Sequence, residues 1–189
     1  MKALYWIKSD SYFSRSYFKE KLDATRVPYS LEVKSEQEMF LETEYDISSK
    51  LEGILITILE NEGSKVSALK THNRGPLAER CANKTLSYYP NSVRYLSDIL
   101  LKELSFGNYS SFPLLSAEFK NLDNDLLLTI GTYIREECSI NSASEALFIH
   151  RNTFRYRLKE FERITNLDVH SYHDILLLEL YFQLGRKTL

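Results

Sequence analysis

Between residues 151 and 163 this chain places an amide, a phenol and several cations at helical spacing. At roughly 100° per residue, Asn152, Tyr156, Lys159 and Arg163 share one side of a helix, with Arg155 on its flank. Phe154, Leu158, Phe161 and Thr165 share the other, at the spacing of a buried stripe. Amides and guanidinium groups pair with base edges, and Lys and Arg neutralise phosphates, so the polar side suits a major groove. Asn152 and Thr153, near the helix start, add hydrogen bonds that phosphate can accept beside free backbone N–H groups. The same pattern also fits an ordinary amphipathic surface helix capped by Asn152 and Thr153, and periodicity alone does not separate the two readings.

The elements around this helix bear on the choice. Ser142 followed by Glu145 is a capping-box pattern that predicts a short helix starting there, with Ala143, Ala146 and Leu147 on its small apolar face. The chain breaks around residues 148–151 before the second helix begins. Two short helices with a tight break, the second rich in outward cations, are the outline of a helix-turn-helix.

Residues 146–169, ALFIHRNTFRYRLKEFERITNLDV, resemble the C-terminal helix-turn-helix of PucR/CdaR-type bacterial transcription regulators. Those proteins carry a hydrophobic-Phe-hydrophobic-His-Arg-Asn-Thr-x-Arg-Tyr-Arg-Leu run, matched here from Leu147 to Leu158, and a Thr-Gly/Asn-Leu-Asp exit, matched from Thr165 to Asp168. Phe148 stands in the turn, where many helix-turn-helix units have Gly. Helices expected over residues 126–137 and 174–184 fall where that family has them. The resemblance covers the last third of the chain. It implies a sequence-specific transcription regulator that binds double-stranded DNA. A homodimer is expected because one recognition helix reads too few base pairs to discriminate, and the two-part architecture leaves room for a small-molecule effector on the N-terminal domain. Arg151, Asn152, Thr153, Arg155, Tyr156 and Lys159 are the expected DNA contacts. The alternative is a regulatory protein-interaction module that keeps the helix-turn-helix but no longer binds DNA.

The whole chain has 189 residues, 43% hydrophobic and 26% charged, which suits one globular domain or two small ones. Its net charge of −2 is unlike that of a generic polyanion binder. The charge is segregated, however. Arg151, Arg155, Arg157, Lys159 and Arg163 crowd one segment against only Glu160 and Glu162, whereas acids gather over residues 32–62. Cys81 and Cys138 are too few for a metal motif or a disulfide framework, and the N-terminus lacks the apolar run of a signal peptide. A cytoplasmic protein with no membrane segment is expected.

The fold class expected is α+β: a mixed β/α N-terminal domain over residues 1–105, a linker over 106–120, and an all-helical helix-turn-helix domain over 121–189. In the first part, strands are read over residues 2–7 and 27–33. Residues 53–59 (GILITIL) and 65–71 are read as a β-hairpin, and helices over 15–24, 36–44, 77–86 and 92–104. There is no phosphate-binding Gly-rich loop, Gly-x-Ser-x-Gly elbow or His-Glu-x-x-His helix, so neither an enzyme nor a cofactor is expected. Three polar groupings have chemical alternatives to a plain surface role. His72, Asn73 and Arg74 suit an anion or a solvated loop. Glu38, Glu42, Glu44 and Asp46 suit a hard cation or, having no calcium-loop spacing, a solvated acidic face. His170 and His173 suit a metal or a helix start capped by Ser171 or Asp174; the capping reading is preferred, and no metal is expected.

Overall fold

The computed structural model describes residues 2–184, and its contacts divide the chain into a unit up to Asn108 and a unit from Tyr109. The fold class is the expected α+β, with a mixed five-stranded sheet in the first unit and helices alone among the described residues of the second.

In the first unit β1 (Ala3–Ser9), α1 (Arg15–Ala24), β2 (Tyr29–Ser35), β3 (Glu38–Thr43), α2 (Ser48–Glu62) and β4 (Val66–Thr71) follow one another as a βαββαβ sequence. The sheet order is β2-β3-β1-β4-β5, antiparallel except where β5 (Val93–Tyr95) joins β4 through the crossover helix α3 (Pro76–Tyr88). This is the split-βαβ arrangement with one added edge strand. Alternation along β1 divides the core. Tyr5 and Ile7 pack with Phe18 and Leu22 of α1 and with Leu51, Ile54, Leu55 and Ile58 of α2. Trp6 and Lys8 face the other way, where Lys8 reaches Asn83 of α3 at 2.6 Å and α3 lies along β1 and β4. Helix α4 (Leu96–Ser105) packs on α3, where Lys84 pairs with the fully buried Glu103.

Two expectations fail here for identifiable reasons. Residues 53–59 are not a strand, and no hairpin joins them to β4; they lie inside α2. The apolar run there begins before Gly53: Leu51, Ile54, Leu55 and Ile58 are buried at the i, i+3, i+4, i+7 spacing of a helix. The left-handed Gly63 (φ 71°) then closes the helix by donating to the Leu59 carbonyl. Residues 36–44 are not a helix. Met39, Phe40 and Leu41 are all buried because β3 sits between β1 and β2 and is covered on both sides, so alternation is hidden in a continuous apolar run. The helix expected over residues 92–104 gives its first residues to β5 before α4 begins.

The polar groupings of this unit resolve into separate contacts. Glu38 accepts from the Trp6 indole at 2.6 Å and lies 3.6 Å from Lys8. Arg74 pairs with Glu32 and Glu42 while stacking 3.9 Å above the Phe40 ring, so its charge is already engaged. Asp46 accepts from Tyr5, Ser48 and Lys70. Partial burial alone would raise its carboxyl, but these donors outweigh that and hold it well below the usual carboxylate range. Among the described residues no group of three or more His, Cys, Asp or Glu side chains is placed to hold a metal ion, and no helix is long and apolar enough to cross a membrane.

The second unit contains α5 (Phe112–Glu118), α6 (Asn124–Arg135), α7 (Ile140–Ala146), α8 (Arg151–Thr165) and α9 (Tyr172–Gln183). Part of the segment expected to be linker is thus helical, and Phe112, Leu115 and Phe119 are buried there. Helix α6 contacts α7, α8 and α9, so it is the central support. Gly131 permits its close approach to α9, because a Cβ at that position would lie 3.2 Å from the Phe182 ring. Asp123 caps α6 and Ser171 caps α9, the second by accepting from the Asp174 N–H. His170 and His173 therefore flank a capped helix start, His170 in the turn and His173 against the Tyr172 ring.

Candidate nucleic-acid interface

Helix α7 starts earlier than the Ser142–Glu145 pattern predicts. Its N-cap is Ser139, whose hydroxyl accepts from the Ser142 N–H at 3.3 Å. Its inward side also differs from the expected Ala143, Ala146 and Leu147: Ala143 and Ser144 are buried, Leu147 is half-buried and Ala146 is exposed. Helix α7 ends in a Schellman motif with Phe148 in the left-handed conformation at φ 53°. Phe148 N–H donates to the Glu145 carbonyl and Ile149 N–H to that of Ser144, both at 3.0 Å.

Helix α8 then begins at Arg151. Its N-cap is His150, whose Nδ1 accepts from the Asn152 N–H at 3.2 Å. Sequence reasoning missed this cap because His is not among the residues that usually fill the position; Asn152 and Thr153 lie inside the helix instead. The predicted stripe is confirmed. Phe154, Leu158 and Phe161 are buried and Thr165 is half-buried, and the Phe154 ring lies 6.1 Å from that of Tyr133 on α6. The exit is held by Asn166 at φ 56° and by Glu162, which accepts from the Val169 N–H.

With that side fixed against α6 and α7, the other is turned outward. Arg151, Asn152, Thr153, Arg155, Tyr156 and Lys159 are all exposed, and among the described residues none of the three cations forms an ion pair. The two remaining cations of the helix behave differently. Arg163 is bound through two nitrogens to Glu160, at 2.7 and 2.8 Å, and holds that carboxyl below its ordinary value. Arg157 donates to Asp125 in the first turn of α6 at 2.6 Å. Its phase carries the signal: at 100° per residue it falls about 60° from Phe154, beside the buried stripe. Arg157 therefore ties α8 to α6, and the outward charge belongs to Arg151, Arg155 and Lys159.

The arrangement matches known proteins. Residues 126–184 match the family model described as the PucR C-terminal helix-turn-helix domain. Over 73 residues the chain is 41% identical to the carbohydrate diacid regulator of Escherichia coli K12, a match that covers 38% of this chain and 19% of that protein. Over 96 residues it is 33% identical to the proline-responsive transcriptional activator PutR of Bacillus subtilis, covering 50% of this chain and 23% of the relative. The chain thus spans only about a fifth to a quarter of the length of these relatives. Its fold resembles the crystal structure of a regulator of polyketide synthase expression from Bifidobacterium adolescentis, with a TM-score of 0.52 at 16% identity over 100% of this chain and 82% of that one. Over residues 126–184, then, the chain is similar to the PucR C-terminal helix-turn-helix domain.

Proposed function

We propose that this chain is a sequence-specific, DNA-binding transcription regulator that acts as a homodimer in the cytoplasm. The observation that carries this reading is the outward face of α8, where Arg151, Arg155 and Lys159 are exposed and unpaired among the described residues while the opposite face is packed into its unit. Cations left without carboxylates on a rigid helix suit a polyanion. Two relatives are named as a regulator and a transcriptional activator, which supports the same role here.

Residues 121–189 carry the duplex contact, through Arg151, Asn152, Thr153, Arg155, Tyr156 and Lys159. Dimerisation follows from discrimination: one recognition helix reads too few base pairs, and two-fold pairing doubles the site. The N-terminal unit responds to a small-molecule effector in this reading, by analogy with the relative named as proline-responsive. No reaction is assigned to either unit.

The test is titration of the full chain onto duplex DNA at several salt concentrations. Two phosphates neutralised per protomer make about four per dimer, so the logarithm of affinity falls against the logarithm of salt with a slope of about −3.6. Absence of binding at low salt overturns the proposal and favours an interaction module that keeps the fold without the affinity.

A further inference from the structure

The turn between α7 and α8 holds the most exposed large apolar side chain among the described residues. Phe148 is 96% exposed and has φ 53°. A bulky residue at positive φ is a backbone outlier, favourable for Gly and tolerated by Asn. Helix α6 ends in the same hydrogen-bonded turn, with Glu137 at φ 52°, but water solvates a carboxylate readily. At Phe148 the same geometry fixes an aromatic ring in water, so two unfavourable features coincide at one residue. Neither is needed to close α7, since a Gly there makes both backbone hydrogen bonds without strain. Such an outlier in a binding segment is where function is to be sought.

Its location names the occupant. Phe148 precedes Arg151 by three residues, a span of no more than about 11 Å, and the major groove is about 12 Å wide. A helix that inserts its N-terminal end into that groove leaves the exposed Phe148 ring within reach of the same groove. There the apolar group displayed by a base edge is the 5-methyl of thymine. We propose that Phe148 is a specificity-determining DNA contact, packing its ring on a thymine methyl beside the base pairs read by α8. This rests on the DNA-binding reading above and adds apolar readout to its polar contacts. It also accounts for a Phe where Gly would relieve the strain.

The test uses the full chain and a duplex chosen by selection from a random pool. Each thymine is replaced in turn by deoxyuridine, which lacks only the methyl group. The parent loses about fourfold in affinity at one thymine per half-site, the scale of one buried carbon. Phe148→Gly binds the thymine duplex about tenfold more weakly than the parent, yet loses nothing more when that thymine becomes deoxyuridine. Its melting temperature is unchanged or raised, because Gly relieves the left-handed strain; Phe148→Asn, which also tolerates that conformation, repeats the binding loss. Binding by Phe148→Gly equal to the parent's overturns the proposal. So does a loss that is the same on thymine and deoxyuridine duplexes, or a change in oligomeric mass in place of a change in affinity. A parent that selects no duplex at all defeats the DNA-binding reading itself, and that failure is visible before any variant is made.

Discussion

Phe154→Ala is expected to destabilise the C-terminal unit by about 3–5 kcal/mol. The ring is fully buried on the inward side of α8 and lies against Tyr133 of α6. Its removal opens a cavity between α8 and α6, which costs both the transfer of the lost carbons and the lost packing around them. For a unit of this size the melting transition falls on the order of 15 °C or more. DNA binding is lost in proportion to the unfolded fraction, and it recovers on cooling because no DNA-facing group has been removed. Thermal melts followed by circular dichroism, paired with duplex titrations at low temperature, measure both effects. A variant that melts like the parent would contradict the packing of α8 described above.

Arg155→Lys and Lys159→Ala are expected to fail in different ways. Arg155 lies in the first half of α8, exposed and without an ion pair among the described residues. Its planar fork can donate to guanine O6 and N7 together, which a Lys ammonium cannot do. Arg155→Lys keeps the charge, weakens cognate binding by about 1–3 kcal/mol and relaxes preference at one base pair. Lys159 stands a turn further along, where a phosphate contact is expected. Lys159→Ala weakens cognate and scrambled duplexes alike and lowers the salt slope by about one contact per half-site. Competition titrations against both duplexes at several salt concentrations separate the two behaviours. Equal, sequence-blind losses would move base reading to Asn152 or Tyr156.

The sequence was most informative where a period was long and one-sided. The stripe from Phe154 to Phe161 stood out because fifteen residues of α8 bury one face and solvate the other. The outward position of Asn152, Tyr156 and Lys159 followed from the same phase. Central elements hide their period. Strand β3 is buried on both faces, so Met39, Phe40 and Leu41 read as a block. In α2 the β-branched Ile54, Ile56, Thr57 and Ile58 favour a strand locally, and packing against β1 and β4 overrides that preference. Details set by single contacts were illegible for another reason. Nothing in composition says that Arg157 turns to Asp125 while Arg155 forms no ion pair among the described residues, since the partner is 32 residues away in the chain. Nor does it say that His150 caps α8, or that Ser139 in place of Ser142 opens α7. Arg157 is the instructive case, because helical phase alone places it beside the stripe.

Selection of bound sequences from a random duplex pool by the full chain tests the central claim most directly. Two copies of α8 related by a two-fold axis are expected to enrich an inverted repeat, with half-sites about one helical turn apart, 10–10.5 base pairs centre to centre, or a multiple of that spacing. Enrichment is expected to persist as salt is raised, because base contacts discriminate after nonspecific phosphate binding has weakened. A pool that stays random through repeated rounds at both low and moderate salt would contradict sequence-specific recognition by this chain.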